Sequence, residues 1–149
     1  MNTTLTKADE NSNRFNIFYE FGILPGFISF PLELTDSTAI FYSKDKSKSL
    51  EIKYSDIDYI WKVPFFLFWQ VEPLNWKIHI ILKRNILDDY TEEEKKDIAQ
   101  WFPPIPKLTP NKIPFYIEIY CSKRNLLLDS FKKCSVQVSD RFINKQYWH

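Results

Sequence analysis

Apolar and polar residues alternate along most of this chain with a period of two, the spacing that predicts strands. Phe15, Ile17, Tyr19 and Phe21 form a first run, and Ile28, Phe30, Leu32 and Leu34 a second. Pro31 inside the second run predicts an edge position or a bulge, because proline has no N–H to give to a ladder. Thr35-Asp36-Ser37 supplies turn chemistry before a third run, Thr38 to Ser43. A polar loop of hairpin length, Lys44-Asp45-Lys46-Ser47-Lys48, separates that run from Leu50 to Tyr54. Ile57 to Val63 follows after Ser55-Asp56. Trp76 to Lys83 sorts most cleanly, with Trp76, Ile78, Ile80 and Leu82 opposed to Lys77, His79, Ile81 and Lys83. Pro114 to Ser122 repeats it, with Phe115, Ile117, Ile119 and Cys121 on one face and Tyr116, Glu118, Tyr120 and Ser122 on the other.

The period changes twice. Thr91-Glu92-Glu93-Glu94 is a capping box opening a helix, with Glu92 placed to pair with Lys96. Ile98, Trp101 and Phe102 make its apolar stripe, and Pro103-Pro104 ends it. A proline-rich connector runs on to Pro114. Its Pro103-Pro104-Ile105-Pro106 has the composition of a polyproline ligand, but no flanking basic pattern strengthens that reading. Near the end, Leu127, Phe131, Cys134, Val138 and Phe142 recur at helical spacing, while Ser135 to Val138 alternates as a strand would. Good helix formers favour a helix over Arg124 to Lys133. The whole reads as a polar leader over residues 1–14 and one domain over 15–149. Its fold class is α+β, mainly β: an antiparallel barrel or sandwich of about seven strands, one inserted helix and a C-terminal helix.

Composition narrows the chemistry. Two glycines cannot write a phosphate-cradling loop, and two cysteines with two histidines cannot furnish a structural zinc site of four such ligands. No cofactor and no metal are expected. The uncharged runs Phe21 to Leu32 and Val63 to Val71 are too short to span a bilayer, and no apolar stretch at the N-terminus resembles a signal peptide. Cys121 and Cys134 then read as reduced thiols of a cytoplasmic chain. A net charge of +1 removes the electrostatic signature of a general nucleic-acid binder. The 13 Phe, 8 Tyr and 5 Trp exceed what the alternating strands absorb, and the excess falls in Phe65, Phe66, Phe68 and Trp69.

Three groups of residues carry candidate chemistry. If the strands at Trp76 and Phe115 pair, Glu118 faces His79 and orients its ring, a dyad capable of general-base work. A surface histidine in a cross-strand pair on the polar face of its strand is the commoner case, so no catalytic residue is assigned and the chain is expected not to be an enzyme. The second group is an acidic knot: Asp88, Asp89, Glu92, Glu93, Glu94 and Asp97. It lacks the alternating ligands and turn glycine of a calcium loop. A dense carboxylate face of this kind suits the basic cleft of a protein partner, which it would meet by fast, salt-sensitive association. Asp88, Asp89, Glu92, Glu93 and Asp97 are therefore the expected partner-binding residues, together with Phe65, Phe66, Phe68 and Trp69. Third come Lys44, Lys46, Lys48 and Lys53, a basic cluster diluted by Asp45 and Glu51.

The ordered pieces TAIFYS, a lysine-rich loop, LEIKYSDIDYI, WKIHIILK and FYIEIYCS resemble the pleckstrin-homology-like superfamily, particularly its GRAM-like members. The likeness is strongest over Phe27 to Val63, and two features depart from the pattern: the insertion from Thr91 to Pro114 and the apolar Val63 to Trp69. The resemblance implies a seven-stranded barrel or sandwich with a C-terminal helix around Leu126 to Phe131. It also implies a lipid-facing loop at Lys44, Lys46, Lys48 and Lys53. Taken together, the expected function is a non-catalytic protein-binding module, in its most specific form a bacterial immunity or antitoxin-like protein that neutralises a partner toxin. The alternatives are a membrane-surface adaptor and an enzyme using His79 and Glu118.

Overall fold

Two four-stranded sheets carry the molecule, and the period-two runs supply nearly all of their strands. The computed structural model describes residues 13–21, 24–25, 28–63, 76–102 and 115–141. The first sheet joins β1 (Arg14–Ile17), β4 (Phe30–Leu34), β5 (Thr38–Tyr42) and β6 (Ser49–Lys53) in that order, all antiparallel. The second runs β10 (Val138–Ser139), β7 (Ile57–Lys62), β8 (Lys77–Leu82) and β9 (Tyr116–Tyr120), with β10 parallel to β7. A small ribbon pairs β2 (Glu20–Phe21) with β3 (Leu24–Pro25). Among the described residues the α-helices are α1 (Glu92–Trp101) and α2 (Arg124–Lys133). Among the described residues no helix is long and apolar enough to cross a membrane.

The sheets meet at one corner, where Phe18 and Tyr120 exchange two backbone hydrogen bonds of 2.8 Å. Elsewhere the chain passes from β6 to β7 through a 3-10 turn, Tyr54–Asp56, without lateral pairing. They are therefore not closed into a barrel, and of the two expected architectures the barrel does not hold.

Alternation decides what is buried. Leu32, Leu34, Phe41, Leu50 and Ile52 of the first sheet join Ile60, Ile78, Ile80, Ile117 and Ile119 of the second in one apolar cluster. Ile98 and Phe102 enter that cluster from α1, and Leu127, Leu128 and Phe131 from α2. Helix α2 covers the predicted span, and its end explains why the helical spacing does not continue to Val138. Ser135 takes a left-handed φ of 66°, and the amides of Ser135 and Val136 return to the carbonyls of Lys132 and Phe131. This Schellman cap turns the chain into β10.

Three expectations change. Pro31 lies in a strand paired on both sides, not at an edge. The ladder to β5 stops at Leu32 opposite Phe41, so the missing N–H of Pro31 faces the position just beyond the last pair. Ile28 is half-exposed and precedes the strand rather than opening it. The polar face of β8 is not solvated: Tyr59, Ile81 and Tyr120 on that side are at most 1% exposed, a second buried layer outside the main cluster.

Candidate functional site

The acidic knot divides between the end of β8 and helix α1. After β8 the chain makes a 3-10 turn, Ile86–Asp89, started by the Asn85 side chain, which accepts from the Leu87 amide. Ile86 and Leu87 are buried there, which turns Asp88 and Asp89 outward. Helix α1 then opens with both halves of the capping box in place. The Glu94 amide donates to Thr91 Oγ1 at 3.1 Å, and the Thr91 amide to Glu94 Oε1 at 2.8 Å. Three acids in the first turn sit at the positive end of the helix dipole.

Most of the knot is engaged within the molecule. Arg84 bridges Asp56 and Asp89, at 3.1 and 2.7 Å. That bond holds the Asp89 carboxyl below its ordinary range and pushes the guanidinium above its own. Glu92 pairs with Lys95 at 3.0 Å, one residue before the expected Lys96. Asp97 binds Lys48 across from the β5–β6 loop. Asp88 and Glu93 remain as exposed carboxylates with no described partner.

Beside α1 lies an open cleft of about 450 Å³, lined by Lys48, Ser49, Tyr90, Glu93, Glu94, Asp97, Ile98 and Trp101. Tyr90 and Trp101 are half-buried in its wall, whereas Ile98 and Phe102 from the same stripe turn into the core. Burial raises the Tyr90 hydroxyl pKa first, and the charges of Asp89, Glu94 and Glu51 raise it further. The cleft is thus an aromatic surface in a negative rim. Tyr90, Trp101 and Glu51 escaped the sequence reading. Trp101 was absorbed by the helical stripe, and the helix phase that turns it aside from Phe102 was the available signal.

The four lysines do not form one patch. Lys44, Lys46 and Lys48 stand on the β5–β6 loop, while Lys53 is at the far end of β6, about 17 Å of extended strand away. Lys48 is tied to Asp97. The loop is braced by Asp45, which accepts from the Ser47 hydroxyl, the Ser47 amide and the Ser43 hydroxyl at 2.7, 3.0 and 2.9 Å. Lys46 takes a left-handed φ of 64° at its tip.

His79 does face Glu118, through the pairing of β8 with β9. Their side chains are 3.5 Å apart, and Lys77 reaches the other Glu118 oxygen at 3.3 Å. The imidazole stacks on Tyr116 and meets Trp61 edge-on, with ring centres at 4.7 and 5.3 Å. Glu118 is only 7% exposed, so the dyad sits inside a covered aromatic layer. Cys121 is a core residue whose thiol is pushed up by burial, and both cysteines are free. Phe65, Phe66, Phe68 and Trp69, and the run from Pro103 to Pro106, lie outside the described residues. No group of three or more His, Cys, Asp or Glu among the described residues is placed to hold a metal ion. Compared with known proteins, the chain matches no family model and no curated sequence.

Proposed function

We propose that this chain is a non-catalytic protein-binding module of the cytoplasm that meets a basic partner through helix α1 and the cleft beside it. One observation carries the reading: half-buried Tyr90 and Trp101 are framed by Glu93, Glu94 and Asp97. Aromatic anchors inside a polar, charged rim are the anatomy of a protein interface. An immunity or antitoxin-like role, in which such a face covers the basic cleft of a toxin, is its most specific form. The free thiols of Cys121 and Cys134 suit a reducing compartment. The four strands of the first sheet, then β7, β8 and β9 of the second with α1 inserted before β9, then helix α2, support the pleckstrin-homology-like reading of the fold. The split of the lysines between the two ends of β6 favours a protein over a membrane as the partner.

The test is a double charge reversal at the two exposed carboxylates without described partners, Asp88→Lys with Glu93→Lys. Immobilised wild-type chain is expected to capture a basic protein from its native cell extract, and the variant to bind it at least tenfold more slowly at low salt. Equal rates for the two chains would remove the reading.

A further inference from the structure

Among the described residues no strand pairs with the outer edge of β6, and the direction of its backbone groups follows from the hydrogen bonds at either end of the hairpin. The Ser43 amide donates to the Lys48 carbonyl at 2.8 Å, and the Tyr54 amide to the Ser37 carbonyl at 3.0 Å. Hydrogen bonding alternates along an antiparallel strand, so residues 48, 50, 52 and 54 turn their backbone groups toward β5. Ser49, Glu51 and Lys53 turn theirs away. These three residues are exposed, no described strand lies beyond them, and none of the backbone hydrogen bonds among described residues reaches them. Three N–H and three C=O groups therefore form a row along the strand.

That row borders the cleft of helix α1. Lys48 and Ser49 line it on the strand side, while Tyr90, Glu93, Asp97 and Trp101 line it on the other. A free edge beside a wall of aromatics and carboxylates has the two parts that strand addition needs. Main-chain bonds give affinity, and pockets for alternate side chains give specificity. Resting on the reading that α1 binds a basic partner, we propose that β6 receives an extended segment of that partner as an added strand, with basic and apolar side chains alternating. Apolar positions cover Tyr90 and Trp101, and basic positions meet Glu51, Glu93 and Asp97. The Lys48–Asp97 pair closes this slot, so an incoming basic side chain competes with Lys48 for the carboxylate.

The probe is a capped, fluorescent hexapeptide alternating lysine and valine, titrated by polarisation against the whole chain at low salt. It is expected to bind, and the same peptide N-methylated at alternate residues to bind at least tenfold more weakly. Glu51→Pro removes an outward N–H together with the Glu51 carboxylate but no bond to β5, so it is expected to abolish binding while leaving the unfolding temperature within a few degrees of wild type, whereas Glu51→Gln, which keeps the N–H, is expected to weaken binding only severalfold. Lys48→Ala is expected to tighten binding severalfold. Equal affinity for the plain and N-methylated peptides overturns strand addition, even if Glu51→Pro fails to fold, because that comparison uses the wild-type chain. If Glu93→Lys still weakens both peptides in that case, the acidic surface stands and only the strand slot falls. No binding of the plain peptide also overturns the slot, while the capture experiment decides the broader reading independently.

Discussion

At the scale of single residues, the structure turns several polar side chains from surface ornaments into braces. Asp45 is the clearest. Its carboxylate takes the Ser47 hydroxyl, the Ser47 amide and the Ser43 hydroxyl, and these bonds lower its pKa from 3.8 to about 2. A folded pKa below the unfolded one adds stability that is fully present above about 3.8 and is lost as pH falls through about 2. Asp45→Asn is therefore expected to lower the unfolding temperature near neutral pH, with the gap to wild type closing between pH 4 and pH 2. Thermal unfolding followed across that range checks it. Sequence made the turn legible here, because Ser and Asp at this spacing bond locally. Partner choice among long side chains was less so: Glu92 chose Lys95 over Lys96, since three- and four-residue spacings both bring helix neighbours together. Pro31 misled for a different reason, its hydrogen-free nitrogen facing a position no ladder pair uses.

At the scale of elements, local signals held wherever the element is built from its own residues. Helix α1 begins at its predicted Thr91 cap, and helix α2, whose N-cap Lys123 makes no side-chain capping bond, covers the span its helix formers predict and ends in the Ser135 turn. Thr91→Ala removes the acceptor of the Glu94 amide and half of the capping box, an expected loss of about 1 kcal/mol. Denaturant titration measures that directly, and an unchanged midpoint would show that the box contributes nothing to the fold. The strands were legible through alternation, yet alternation says only which residues share a face, not what lies over it. The His79 face was therefore expected to meet water, whereas Ile81 and Tyr120 beside it are buried. The pairing of His79 with Glu118 was foreseeable because both occupy the polar side of neighbouring strands. The open edge of β6 was not, since an edge is a property of the whole sheet order.

At the scale of the whole molecule, Phe102 at the C-cap of α1 ties that helix to the first sheet through aromatic contacts. Phe102 is fully buried, with ring centres 5.6 Å from Tyr19 and 5.5 Å from Phe41, both edge-on. Phe102→Ala is expected to cost about 3–5 kcal/mol, and urea unfolding with an unchanged slope would report it as loss of packing alone. Charge is also separated in space. The cleft beside α1 is rimmed by carboxylates, whereas a groove between β1 and α2 gathers Arg14, Lys123, Lys132 and Lys133 against one acid, Asp129. Such separation steers a charged partner to one side. What the sequence left unwritten at this scale is closure, because two sheets with the same strands and faces can close or remain open.

The corner where they do meet sets a clock. Phe18 and Tyr120 are about a hundred residues apart, and a ribosome adding about 5–20 residues per second needs roughly 5–20 s to supply the second after the first. The β4–β5–β6 meander is local and pairs on the microsecond scale of a hairpin, so the first sheet stands for seconds before the Phe18 backbone meets Tyr120. During synthesis the corner at Phe18 is thus the last join of the two sheets to form, and the arrival of β9 makes it.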